Sequence, residues 1–231
     1  MGTSDAQADA GKRATKRAPR RSPVTAQELM DAAVDLSTSM RSVSSLSLRE
    51  VARAAGIAPN SFYRHFRDVD ELAVAVIDQA GRSLRGIIRE ARQRISPERS
   101  MIRTSVEAFM EQVDDEQRYL HVLLREMSIG SEAFRRAVER ELSYFEDELC
   151  EELVRLGTLN GQEFHQPLLA ARAITRLVFN MGASAVDRSR EERAEMVDQL
   201  VIMVRMIIVG AQTMPQSMPR SMPKRGKKKS P

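Results

Sequence analysis

Cysteine and histidine are nearly absent from the chain, with one of the first and three of the second among 231 residues. A lone Cys150 closes no disulfide within one chain, fits a reducing cytoplasm, and reads as an inert thiol among the Glu and Leu residues of a helical run. His65, His121 and His165 lack metal-ligand spacing, and no H-E-x-x-H, G-x-S-x-G or phosphate-binding glycine loop occurs. The chain is therefore expected to be no enzyme, with no metal and no cofactor. The paired acids Glu151-Glu152 and Glu191-Glu192 are consecutive on helices, project in different directions, and read as solvated charge. Long apolar runs are missing too. The most apolar stretch, Leu200 to Ala211, is interrupted by Arg205 and is too short to span a bilayer. The N-terminus, rich in Ala, Thr, Ser, Lys and Arg, lacks the apolar centre of a signal peptide, so a cytoplasmic protein is expected. Alternating β-branched runs are also lacking, which excludes a sheet and predicts an all-α fold.

With 42% apolar and 29% charged residues, the chain has the composition of a globular protein able to bury a core. Its formal net charge is +4, but the basic residues are unevenly spread. Lys12, Arg13, Lys16, Arg17, Arg20 and Arg21 against Asp5 and Asp9 give residues 1–21 a net +4. Arg220, Lys224, Arg225, Lys227, Lys228 and Lys229 give residues 220–231 a net +6, leaving −6 for the middle. Basic tails on an acidic body suit contacts to DNA from the tails and one end of the body. Solubilising disorder is the competing reading of the C-terminal tail.

The most informative stretch is SLREVARAAGIAPNSFYRHF, residues 47–66. Ser47 and Glu50 form an S-x-x-E capping box that starts a helix, Leu48, Val51, Ala52 and Ala55 supply its apolar stripe, and Gly56 ends it. Ala52 is small where two helices cross closely, and Ile57, Phe62 and Phe66 fall where anchors hold a second helix. Asn60, Ser61, Tyr63, Arg64 and His65 are left outward, free to meet phosphates and base edges in a major groove. An ordinary helical hairpin with a solvated basic face is the bland alternative. Against it, Asp68-Val69-Asp70-Glu71 follows at once as another helix start, which holds the second helix on a stiff rod.

Helical periodicity continues nearly everywhere, predicting about nine helices. The first runs from the Thr25/Glu28 box to about Met40, and Asp68 opens a long one to about Ile95. Ser96-Pro97 starts a helix that Asp114-Asp115 ends, and another spans about Gln117 to Met127. Ser131 begins a helix expected to stop at Gly157, followed by a loop from Thr158 to Gln166. Helices from about Pro167 to Asp187 and Ser189 to Gln212 complete the body. The expected domains are a basic disordered arm (1–22), a helix-turn-helix head (23–67), a ligand-binding and dimerisation body (68–212) and a basic disordered tail (213–231). Gly182, Ala183, Ser184 and Ala185, beside the apolar run Val201 to Val209, suggest that the last two helices pack against their copies in a homodimer. Two heads about one DNA turn apart would read a palindromic operator. A purely intramolecular core is the alternative.

The head resembles the TetR family of bacterial one-component repressors, whose reading helix ends in a sequence of the Phe62 to Phe66 type. Further similarity, over about residues 41–145 and including ARQRI, IRTSVEAFM, LLRE and AFRRAVERELSYF, resembles the FabR/DesT-like branch that represses unsaturated fatty acid biosynthesis. The resemblance implicates Arg49, Asn60, Ser61, Tyr63, Arg64, His65 and Arg67 in DNA binding. Arg49 or Arg64 would grip guanine, while Ser61, Tyr63 and His65 would hold phosphates. Arg20 and Arg21 would enter an adjoining minor groove. It also implies a body pocket for a long-chain acyl thioester of coenzyme A or acyl carrier protein. Phe109, Leu123, Leu124, Met127, Phe134, Phe145 and Phe179 would line it, although plain core is the competing role for each. Arg103, Arg125 and Arg135 are conceivable partners for the anionic effector, with solvated surface the alternative. A drug or another amphipathic molecule is the rival effector, and a sequence-tolerant architectural DNA-binding protein the rival function.

Overall fold

In the computed structural model the described residues are 24–37, 41–93, 100–114, 118–126 and 131–214. They form nine α-helices and a single 3-10 turn at Val43–Ser45, and among them there is no strand. The expected all-α class is what the structure has. The helices are α1 (Ala26–Leu36), α2 (Leu48–Ala54), α3 (Pro59–Phe62), α4 (Val69–Gln93), α5 (Met101–Asp114), α6 (Arg118–Glu126), α7 (Glu132–Asn160), α8 (Pro167–Ala185) and α9 (Arg190–Thr213).

Local chemistry sets most of the helix starts. Three S/T-x-x-E pairs, Thr25/Glu28, Ser47/Glu50 and Ser189/Glu192, are complete capping boxes in which side chain and backbone satisfy each other. At α4 the arrangement is shifted by one residue: Asp68 Oδ1 accepts from the Glu71 amide at 2.7 Å, and the Glu71 carboxylate accepts from the Arg67 amide at 2.6 Å. Pro59 and Pro167 occupy first-turn positions, where a missing N–H costs nothing.

Two ends differ from the sequence reading. Helix α1 stops at Leu36 rather than near Met40, because Ser37 turns extended and its hydroxyl donates to the Val34 carbonyl at 2.7 Å. Helix α7 runs through Gly157 to Asn160. Its left-handed cap is Gly161, at φ 64°, with the Gln162 amide donating back to the Gly157 carbonyl at 2.9 Å. Gly157 serves close approach instead: a Cβ there would sit 2.5 Å from the Gln162 carbonyl oxygen and 3.1 Å from the Phe164 ring. The loop is correspondingly shorter than expected. The Ser96-Pro97 start of α5 and the Gly130 stop of α6 lie outside the described residues, as do the arm 1–22 and residues 215–231 of the tail.

In the body, α4 packs against α5, α6 and α7, α7 against α8, and α8 and α5 against α9. The main core is continuous from Leu29, Val51, Phe62 and Phe66 in the head, through Leu72, Val76 and Ile77 of α4, to Phe109, Leu123, Phe134 and Leu142 in the body. Head and body therefore share one interior through α4. Gly182 also has an inward role. A Cβ on it would stand 2.5 Å from the Phe109 ring, so its smallness serves α5 within the chain. The outer faces of the last two helices nevertheless leave Leu168, Leu169, Ile202, Met206 and Val209 exposed.

Candidate nucleic-acid interface and ligand cavity

The turn between α2 and α3 is built from backbone bonds that only a left-handed residue permits. Gly56 has φ 69°, its amide donates to the Arg53 carbonyl at 3.1 Å, and the Ile57 amide donates to the Ala52 carbonyl at 2.9 Å. Helix α3 is short, and its turn continues through amide bonds from Arg64 to the Ser61 carbonyl and from His65 to the Phe62 carbonyl. Phe62 is fully buried, with ring centroids 6.2 Å from Tyr63 and 5.8 Å from Phe66. That anchoring fixes which side chains face out. Asn60, Tyr63, Arg64, His65 and Arg67 are exposed and Ser61 is half-buried; Arg49 is exposed on α2. The structure thus brings the seven described candidates to one end of the molecule. Arg20 and Arg21 lie outside the described residues. Arg67 pairs with Glu71 at 3.2 Å but is nearly all in solvent, so this contact is weak and leaves it available. Arg53, exposed in the last turn of α2, extends the same basic surface and was not singled out from sequence.

Glu50 holds the head together at its first turn. It accepts from the Ser47 amide and hydroxyl at 2.9 and 2.7 Å and from Arg41 at 2.8 and 2.9 Å. These Ser47 and Arg41 bonds lower its pKa from 4.5 to about 2. A carboxyl whose folded pKa lies below its unfolded value contributes stability above the unfolded value and loses it as pH falls through the folded one. Head stability should therefore decline between about pH 4.5 and pH 2, and Glu50→Gln should flatten that decline, as followed by circular dichroism at stepped pH.

The body contains an apolar chamber of about 130 Å³ between α4, α5, α7, α8 and α9. Phe109, Phe145 and Phe179 form its aromatic wall, with ring centroids 5.4 Å apart for Phe109 and Phe179 and 5.0 Å for Phe145 and Phe179. Leu123, Leu124 and Phe134, the other described candidates, are buried core and do not line this chamber, and Met127 lies outside the described residues. At one end Arg92, Met101 and Glu152 are shared with a polar vestibule of about 480 Å³, which Arg89, Glu148, Glu151 and Arg155 complete. Arg92 is the residue the sequence reading missed. Burial holds its pKa below the usual guanidinium value, with Glu152 and Glu148 pulling the other way. Of the arginines considered from sequence, Arg103 pairs with Asp198 at 2.8 Å and Glu107 at 3.4 Å, Arg135 is exposed away from the chamber, and the Arg125 side chain lies outside the described residues.

A ladder of ion pairs joins the link helix to this chamber. Asp78 pairs with Arg140, Arg85 with Glu141, and Arg89 with Glu148 at 2.9 Å, all between α4 and α7. The Arg85 guanidinium also lies 5.3 Å from the centroid of the Phe145 ring, a wall of the chamber. On the far side of α7, buried Glu146 accepts from Arg172 at 3.2 Å and Arg176 at 2.9 Å on α8. The head reaches the body directly as well: Tyr119 of α6 donates to Asp31 of α1 at 2.7 Å and accepts from Gln27 at 2.6 Å.

Residues 29–76 match the family model described as bacterial regulatory proteins, tetR family. Among solved structures, a TetR-family regulator from Streptomyces coelicolor is 26% identical, covering 79% of this chain and 90% of its own, with a TM-score of 0.52. The fatty acid degradation regulator FadR from Bacillus halodurans shares the fold at 18% identity and a TM-score of 0.58, over 81% of this chain and 94% of that one. SmeT, solved in complex with triclosan, does so at 18% and 0.59, over 86% and 99%. No helix among the described residues is long and apolar enough to cross a membrane. The match to the tetR-family model thus covers the three-helix head and the start of α4, and the body shares its fold with solved transcriptional regulators.

Proposed function

We propose that the protein is a dimeric repressor that senses long-chain acyl thioesters and controls genes for unsaturated fatty acid synthesis. The observation that carries the reading is the apolar chamber sharing Arg92, Met101 and Glu152 with a charged vestibule, both abutting the helix that bears the head. The apolar lining of the first compartment suits part of an acyl chain, and the charged second compartment suits a polar carrier. The fold shared with a fatty acid degradation regulator points the same way. Leu168, Leu169, Ile202, Met206 and Val209, exposed together on α8 and α9, suit a second copy packed there as a four-helix interface. Ligand entry would displace the Phe145 wall, and the α7 to α4 ion pairs would carry that shift to the spacing of the two heads.

The test is binding of purified protein, at fixed moderate salt, to promoter DNA of unsaturated fatty acid genes and to scrambled DNA, with saturated or unsaturated acyl-coenzyme A. Operator-selective binding that changes with acyl saturation supports the reading; equal binding to both DNAs sinks it in favour of an architectural protein. In the same assay Arg64→Ala should cost about 1–3 kcal/mol on the operator and less on scrambled DNA. Equal losses on both would make Arg64 a phosphate contact.

A second reading keeps the repressor and changes the ligand to a compact drug-like molecule. It is favoured by the chamber's size, near the ~150 Å³ that takes a benzene ring and below the ~300 Å³ of common drug-sized sites. The triclosan complex of SmeT gives it a structural parallel. A compact phenol that releases operator DNA where acyl-coenzyme A does not would decide for it.

A further inference from the structure

The chamber is almost wholly apolar, and its polar side chains are few: Arg92, Ser105, Glu152 and Thr175. Of the two charged ones, Glu152 is already satisfied, because Arg155 donates to both of its oxygens, at 2.6 and 2.9 Å. Arg92 is not matched in the same way. Its Nε donates to the neutral Ser105 hydroxyl at 3.0 Å, and among the described residues no carboxylate lies within ion-pair distance of it. Glu152 and Glu148 act on this guanidinium only from a distance and offset its withdrawal from water in part, so a desolvation cost remains. An incoming anion would return it, and a planar carboxylate matches the guanidinium fork while adding little polar bulk to an almost wholly apolar chamber.

The geometry points to Arg92 as the head-group receptor of the chamber, and to its ligand as a carboxylate borne on an apolar chain or ring. The inference rests on the chamber being the effector site, as proposed above, and puts a free carboxylate in place of the thioester end of the ligand. The apolar part lies against Phe109, Phe145, Phe179 and Ile208, and the acid end lies at the junction with the vestibule, where Arg92 contributes to both compartments. Ser105 positions the guanidinium from α5. A thioester offers Arg92 a neutral carbonyl oxygen, so a free acid should bind more tightly than its thioester.

The experiment is calorimetric titration of the full-length protein with oleate, oleyl alcohol, oleoyl-coenzyme A and 2-naphthoate, for wild type, Arg92→Gln, Arg92→Lys and Ile208→Phe. Loss of one charge-assisted pair should weaken oleate and naphthoate by about ten- to a hundredfold in Arg92→Gln, with Arg92→Lys intermediate and oleyl alcohol unaffected. Ile208→Phe, which fills the chamber, should weaken every ligand. Without ligand, Arg92→Gln should leave Tm unchanged or raised, since it removes a partly desolvated charge, whereas a merely structural arginine would lower it. Oleate binding indifferent to Arg92→Gln overturns the proposal, as does oleyl alcohol binding as tightly as oleate. Naphthoate binding that needs Arg92, with neither oleate nor oleoyl-coenzyme A bound, would remove the acyl reading and keep the carboxylate receptor. Oleoyl-coenzyme A that shifts operator affinity, together with oleate binding unchanged in Arg92→Gln, would keep the acyl reading and remove the carboxylate receptor. Binding of none of the four overturns both.

Discussion

Phe62→Ala should abolish operator binding while leaving every proposed DNA contact in the sequence. The ring is fully buried, and it is the anchor against which Tyr63 and Phe66 are set. Truncating a buried phenylalanine costs about 3–5 kcal/mol, the lost transfer term plus the cavity left behind. The head is built from three short helices and has little else to fill that space, so α3 should lose its fixed orientation first. Hydrogen exchange read by mass spectrometry should show residues 47–66 losing protection while α7 and α8 keep theirs. Phe62→Leu, which conserves most of the volume, should retain binding at a cost under about 1.5 kcal/mol. If Phe62→Ala bound operator at wild-type strength, the outward residues would be held by something other than this anchor.

Arg85→Met carries the largest expected effect in the body. Arg85 and Glu141 are 11% and 3% exposed, unlike the outer rungs of the ladder, and Gly81 lacks a side chain because a Cβ there would overlap the Glu141 carboxylate. Removing the arginine leaves that carboxylate buried with its partner gone, which costs about 3–5 kcal/mol. For a chain of this size the corresponding fall in Tm is roughly 10 °C. Arg85→Met combined with Glu141→Leu should recover most of the loss, because a buried pair exchanged for apolar groups is often neutral. The double variant should still respond poorly to ligand, since the contact from α4 to Phe145 is gone while the fold is restored. A single variant with unchanged Tm would mean that water reaches Glu141.

The head was the most legible part of the chain because its determinants are local. Ser47 and Glu50 are three residues apart, Gly56 ends the helix they start, and the Phe62 and Phe66 spacing identifies the buried face without knowledge of any partner. Gly157 misled for the same reason that Gly56 informed: a glycine near a helix end reads as a stop, yet here Gly161 takes the left-handed position and Gly157 makes room for the returning chain. Asn160-Gly161, a pair that turns hairpins elsewhere, is in this chain a helix cap. Gly182 belonged to a run of small residues that suggested an intersubunit contact, and its nearest neighbour is the Phe109 ring of the same chain. The chamber was half legible. Phe109, Phe145 and Phe179 meet there, but nothing in a helical period separates them from Leu123, Leu124 and Phe134, which fill core elsewhere. Arg92 sits in a charged run that looks solvated, and its burial arises from packing against the next helix, α5, and against α7, which is distant in sequence.

The uneven burial of the ladder on α4 makes that helix a lever. Its outer rungs, Arg89 with Glu148 and Asp78 with Arg140, are solvent-exposed and yield to thermal motion and salt. Arg85 is clamped, and so it is the fulcrum. From Arg85 the helix extends about 10 Å to Arg92 at the chamber and about 24 Å to Val69 below the head, at 1.5 Å per residue. A stiff rod on unequal arms multiplies motion by their ratio, so a shift of about 1 Å at the chamber becomes about 2 Å where the helix meets the head. In a pair of subunits facing one duplex the two displacements add.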